Sequence, residues 1–133
     1  MNKSHTQPKP TPSREDLSHV GLVAFFNIAE SWELTGQQQQ ILLGNPARAT
    51  FFKWKKSKQA LLPQDVLERI SYITGIYKAL HVLLPSEQAA NSWIKKPNTA
   101  PLFNGASALE IMLQGRVVDL ADIRRFLDAE RGR

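Results

Sequence analysis

Between Leu62 and Leu84 the apolar residues Val66, Ile70, Ile73, Tyr77, Leu80 and Leu84 recur in alternating steps of four and three. That spacing puts all of them on one face of an α-helix about five turns long, and it fits no strand period. Leu62 and Pro63 open the segment, with proline suited to the start of a helix. The longest helix of the chain is therefore expected here, carrying more apolar surface than one small module can cover. Gly75 lies inside it, at a penalty of roughly 1 kcal/mol relative to alanine. It either lets another helix approach closely or has no consequence.

The segments around this stripe also read as helical. Ser13 followed by Glu15 and Asp16 marks a helix start, and Leu17, Val20, Ala24 and Ile28 then recur at helical spacing, predicting a helix over about 15–33. Thr35 and Gly36 interrupt it, a short helix carries Gln37 to Leu43, and Gly44, Asn45 and Pro46 form a turn. Beyond the long helix, Pro85 and Ser86 restart a helix that runs through Trp93 and ends at Lys95–Asn98. Ala106–Gln114 and Leu120–Glu130 follow, separated by Gly115. Only Arg116–Val118 offers an isolated extended stub, so no sheet core is available and the fold expected is all-α.

Residues 1–14 hold three prolines and three cations with little to bury, which predicts a mobile arm. The remainder divides into residues 15–84, a helix-turn-helix with its long connecting helix, and residues 85–133, a small helical domain. The apolar run Val20–Phe26 is far short of the roughly 20 residues that span a bilayer. No hydrophobic segment follows the basic start as a secretory signal would. A cytoplasmic protein with no membrane role is expected. The absence of cysteine removes disulfides and thiolate metal sites, and His5, His19 and His81 have no ligand spacing.

Catalysis requires a nucleophile with a base, paired carboxylates, a metal cluster or a phosphate loop. Asp119, Asp122, Asp128 and Glu130 alternate with Arg124, Arg125 and Arg131, a spacing that surface ion pairs explain. Gly105 and Gly115 lack the strand and clustered glycines that phosphate binding needs. The expectation is a non-enzyme with no cofactor, no metal and no small-molecule substrate.

The formal charge of +5 is unevenly distributed. The stretch Asn45–Lys58, NPARATFFKWKKSK, carries Arg48, Lys53, Lys55, Lys56 and Lys58 and no acid. Following a helix and a glycine turn, it has the order of a helix-turn-helix, whose second helix enters the major groove. Phe51 and Trp54, three apart, are expected to face the core, leaving Arg48, Lys53 and Lys56 for phosphate. Gln37–Gln40 just before them, Gln38 included, form either a solvated helix face or amides for phosphate and adenine edges.

Trp93, then Pro97–Asn98, then Phe103-x-Gly105 and a helix ending at Gly115 together resemble the C-terminal toxin-binding domain of the MbcA/ParS/Xre antitoxin family. Residues 42–80 are similar to that family's Xre-like helix-turn-helix and joining helix. Two departures are Asn45–Pro46, where many relatives have an apolar residue after the turn glycine, and Ala108, where proline is common. The resemblance implies a helical fold, frequent dimerisation and a partner toxin with a RES-type domain, whose family consumes NAD or transfers ADP-ribose.

On that basis the chain is expected to bind operator DNA through Arg48, Lys53, Lys55, Lys56, Lys58 and Gln38. It is expected to bind the toxin through Arg124, Arg125, Arg131, Gly132 and Arg133. The tail Arg131-Gly132-Arg133 is either a frayed basic end or a projection into the toxin cleft, where guanidinium forks suit acidic or carbonyl groups and Gly132 permits a backbone turn. The alternatives are a stand-alone Xre-like regulator without a toxin, and an adaptor that keeps only the scaffold.

Overall fold

The computed structural model describes residues 11–133, and its seven α-helices run in the order α1 Arg14–Ser31, α2 Gly36–Leu42, α3 Arg48–Ser57, α4 Gln64–Leu83, α5 Glu87–Ser92, α6 Ala108–Met112 and α7 Val117–Arg131. A single 3₁₀ turn, Trp93–Lys95, follows α5. An all-α fold is what the absence of alternating patterns predicted. The one bridge among the described residues joins Pro97 to Ser107. The extended stub expected at Arg116–Val118 is not formed: Arg116 is extended only as the cap of α7, and Val117 is already helical. Its guanidinium holds the buried Asp119 at 2.7 and 3.0 Å, a bond that also raises the Arg116 pKa. None of the described helices is long and apolar enough to cross a membrane.

Ser13 caps α1 by accepting a hydrogen bond from the Asp16 amide at 3.1 Å, as the sequence suggests. The expected arm therefore ends in helix: Arg14 is its first residue and donates to the Leu62 carbonyl at 3.0 and 2.7 Å, while residues 1–10 lie outside the described residues. Buried Ser18 accepts from the Leu62 amide at 3.0 Å and donates to the Arg14 carbonyl at 2.7 Å. These bonds fasten the start of α1 to the entry of α4.

Apart from Ile28, the apolar spacing that marks α1 in the sequence is not its buried face. Leu22, Phe25, Phe26 and Ala29 enter the core with Ile28, whereas Leu17 is 49% and Val20 65% exposed. The helix is apolar on two faces, and the one carrying both phenylalanines and leading to Trp32 removes more area from water when buried. The lighter stripe is left outside.

In α4, Val66, Ile70, Ile73, Ile76, Ala79 and Leu80 are buried, with Tyr77 and Leu84 at the margin of the core. This helix is the shared spine, packing most extensively on α7, then on α1 and then on α5. The Arg124 guanidinium of α7 lies across Gly75, where a Cβ would displace this flexible side-chain end.

The loop from Trp93 to Ser107 is built by the residues that carry the family resemblance. Asn98 Oδ1 accepts from the Ala100 amide at 2.8 Å, and the Asn98 carbonyl accepts from the Gly105 amide at 2.9 Å. Gly105 adopts φ +89°, which closes the turn after Phe103. Phe103 then stacks edge-on between Trp93 at 5.8 Å and Phe126 of α7 at 5.0 Å. Helix α6 is shorter than the Ala106–Gln114 expected, because Ser107 is extended and forms a reciprocal capping box with Glu110.

Candidate DNA-binding and partner-binding surfaces

Helix α3 emerges from a turn in which Gly44 has φ +94° and Asn45 φ +57°. Phe51 and Trp54 are buried at 2% and 7% exposure, and the Phe51 ring lies 6.0 Å from Phe26 of α1. At about 100° of rotation per residue, these rings fix the inward direction and turn Lys53 and Lys56 to the opposite side. Both lysines are exposed, as is Arg48, whose guanidinium rests 5.3 Å from the ring centre of the half-exposed Phe52.

The other two cations point elsewhere. Lys55 leans over the Phe51 ring at 5.9 Å. Lys58 ends the helix in a left-handed conformation, donates to the Lys55 carbonyl at 2.9 Å and lies 5.7 Å from the Phe26 ring. Both line a groove with Glu30 of α1 and Glu33 just beyond it. The structure thus groups Arg48, Lys53 and Lys56 outward, the same three that the inward facing of Phe51 and Trp54 leaves free, and sets Lys55 and Lys58 toward α1.

Three of the four glutamines have local structural partners, while Gln37 is exposed. Gln38 spends its carbonyl oxygen on the Thr35 amide at 2.9 Å, completing a capping box. Gln39 is buried and donates to the Leu34 carbonyl at 2.9 Å, while Gln40 donates to the Pro46 carbonyl at 2.8 Å. These amides build the turns on either side of α2. The Thr35-x-x-Gln38 spacing was the available signal for the first; the Gln40–Pro46 bond has no sequence signature.

At the other end, four of the five candidate toxin-binding residues are arginines on or beside α7, three of them paired within their own segment. Arg124 meets Asp128 at 3.2 Å, Arg125 meets Asp122 at 2.9 Å, and Arg133 meets Glu130 at 3.1 Å. Arg124 faces α4 across Gly75, whereas Arg125 and the terminal residues face outward. They form no single cluster. In the free chain Gly132 has φ −81°, a conformation open to any residue. Among the described residues, no group of three or more His, Asp or Glu side chains is arranged to hold a metal ion.

Comparison with known proteins gives these surfaces a context. Residues 12–75 match the antitoxin Xre-like helix-turn-helix domain, and residues 79–133 match the antitoxin Xre/MbcA/ParS C-terminal toxin-binding domain. The chain belongs to the Xre/MbcA/ParS antitoxin family. An uncharacterized protein, y4oB, of Sinorhizobium fredii (strain NBRC 101917 / NGR234) is 53% identical to this family member over 111 residues, 84% of each chain. The two matched domains meet inside α4, so in this antitoxin-family chain one continuous helix serves both.

Sequence reasoning missed one feature of that junction. Arg69, with its side chain 11% exposed, binds Asp65 Oδ2 through Nε at 3.1 Å and donates from Nη1 to the Gly115 carbonyl at 2.8 Å. The Asp65–Arg69 pair was readable as an i, i+4 ion pair. Its partner Gly115, far along the chain, was not.

Proposed function

We propose that this antitoxin-family protein neutralises a RES-type toxin, one that consumes NAD or transfers ADP-ribose, and represses its own operon by binding operator DNA. The observation that carries this reading is one chain bearing both an outward acid-free face on α3 and a domain matched as toxin-binding. Lysine and arginine on that face neutralise phosphates and release counterions, a sequence-independent attraction that positions the helix on the duplex. No reaction is assigned to the chain itself, and its site of action is the cytoplasm, where both operator and NAD are found.

Toxin inhibition is assigned to α7 and the end of the chain. A folded domain can cover a cleft, but a projecting terminus can enter it, and Arg131 and Arg133 are exposed there. The Arg133–Glu130 pair is solvent-exposed and weak, so it gives way readily to a desolvated partner.

A homodimer is part of the proposal. The exposed Leu17 and Val20, with Gly21 and Ala24, wall a groove of about 860 Å³ whose floor is α4. Glu68 and Lys78 lie toward opposite ends of that floor, so an antiparallel second copy brings opposite charges together. Two-fold symmetry also suits a palindromic operator.

The test is coexpression with a RES-type toxin. Copurification, loss of NAD consumption by the pair, and salt-sensitive retardation of promoter DNA are expected. DNA binding without any toxin association identifies a stand-alone regulator instead. Absence of both rejects the proposal.

A further inference from the structure

Phe52 belongs neither to the core nor to the charge of α3. Among the phenylalanines, tyrosines and tryptophans of the described residues it is the one exposed ring, at 49%. At about 100° of rotation per residue, the direction opposite Phe51 and Trp54 passes between Ala49 and Lys56, with Lys53 roughly 50° to one side and Phe52 roughly 50° to the other. Ala49, Lys53 and Lys56 are exposed as well. The outward face therefore carries an apolar pair, Ala49 and Phe52, three residues apart and set among cations.

The ring is also held in place. Phe51, itself 2% exposed, meets it edge-on at 5.4 Å, and the Arg48 guanidinium rests 5.3 Å from its centre. A side chain fixed in this way loses little freedom on binding. The partner that fits this face must satisfy cations and an apolar ring together. A protein surface covering it would bury Lys53 and Lys56, and would need an acid placed against each. Duplex DNA offers both chemistries at the right separation of roles: phosphates for Arg48, Lys53 and Lys56, and in the major groove the C5-methyl of thymine for the ring.

We propose that Phe52 is a specificity-determining residue that packs on a thymine methyl in the major groove, so that α3 selects a T·A pair at one position of its site. The surrounding cations attract the duplex whatever its sequence, and Phe52 discriminates among bases without a hydrogen bond.

The inference rests on the proposed DNA-binding role of α3, and the experiment separates the two. The full chain first selects binding sites from a pool of randomised duplexes. Each thymine fixed by that selection is then replaced by deoxyuridine, which lacks only the C5-methyl, and affinities are measured by fluorescence anisotropy. The natural chain is expected to lose about four-fold in affinity at one such thymine, the worth of burying a single methyl group. Phe52→Ala is expected to bind the thymine duplex more weakly and to lose nothing further on that replacement. Phe52→Gln, a good helix former of similar reach, is a second variant with the same expectation.

If the natural chain binds no duplex, the reading of α3 as a DNA-binding helix fails and takes this one with it. If it binds but no thymine is sensitive to loss of its methyl, or if the folded variants keep the four-fold loss, only the role of Phe52 is overturned. Unchanged DNA binding by both variants, with loss of self-association in light scattering, also overturns it and places the ring against a second copy of the chain.

Discussion

Helices α3 and α7 are both amphipathic and both rich in cations, yet they hold their charge differently. On α3 no carboxylate stands within the helix, and Lys53 and Lys56 project from the side opposite two buried rings. On α7, Arg124 and Arg125 each face an acid within one turn, and Arg133 pairs with Glu130. A phosphate backbone finds uncompensated charge on the first helix. A protein partner of the second must exchange existing ion pairs for better ones, which demands a shaped and desolvated site. Charge density alone therefore suits general attraction, and paired charge suits selective recognition.

The strongest way to break this comparison is to remove what orients α3. Phe51→Ala is expected to destabilise the fold by about 3–5 kcal/mol, because the ring is buried against Phe26 and leaves a cavity. Thermal melts of the purified variant check this; a near-native melt would mean that the ring is not part of the core and is free to meet DNA.

Next comes the end of α7. Each of Arg131 and Arg133 is expected to contribute about 2–5 kcal/mol to toxin binding if desolvated in the cleft, against under about 1 if it stays in solvent. Calorimetry on Arg131→Ala and Arg133→Ala distinguishes the two ranges. Gly132→Ala sharpens the point: with φ −81° in the free protein it is expected to leave stability unchanged, and a large loss of toxin affinity would reveal a glycine-only turn formed on binding.

Replacing Lys53 and Lys56 together by alanine is expected to weaken DNA binding across sequences and to flatten its salt dependence by up to about one unit per lost phosphate contact. Lys58→Ala is expected to do less, since its ammonium is already held by the Lys55 carbonyl. Mobility-shift titrations at several salt concentrations measure the difference, and equal effects would erase the division within α3.

The smallest effect concerns Glu110. The Ser107 amide, donating to its carboxylate at 2.9 Å, and then the Ser107 side chain hold its pKa below the ordinary 4.5 in the folded state. A depressed carboxylate contributes stability above its unfolded pKa and loses it as pH falls through the folded value. Melting temperature of the natural protein is therefore expected to drop slightly more than that of Glu110→Gln as pH is lowered from 6 toward 3.

Much of the fold was legible because helices announce themselves through period and caps, as Ser13 and Ser86 do for α1 and α5; Thr35 and Ser107 also cap helices, but were read as an interruption and as part of a helix. The inward direction of α3 was legible too, since Phe51 and Trp54 leave little choice. What period cannot decide is a competition between two apolar faces: Leu17, Val20, Ala24 and Ile28 mark the helix in the sequence, while Leu22 and Phe25 are among the residues that occupy the core. Nor can it show contacts between distant turns. The Gln40–Pro46 and Arg69–Gly115 bonds depend on how loops meet after the helices have packed. The same holds for α7, where the list of arginines was readable but their placement on separate faces was not.

Helices α3 and α7 are expected to hold different kinds of partner, DNA on the first and a protein on the second, and one crossed experiment separates them. Operator and toxin binding are measured on two variants of the full chain, Lys53→Ala with Lys56→Ala, and a truncation after Glu130 whose helical content is verified by circular dichroism. The lysine variant is expected to lose DNA while inhibiting the toxin's NAD consumption at full strength, and the truncated chain to do the reverse. Full inhibition by the truncated chain, or undiminished DNA binding by the lysine variant, would contradict the claim.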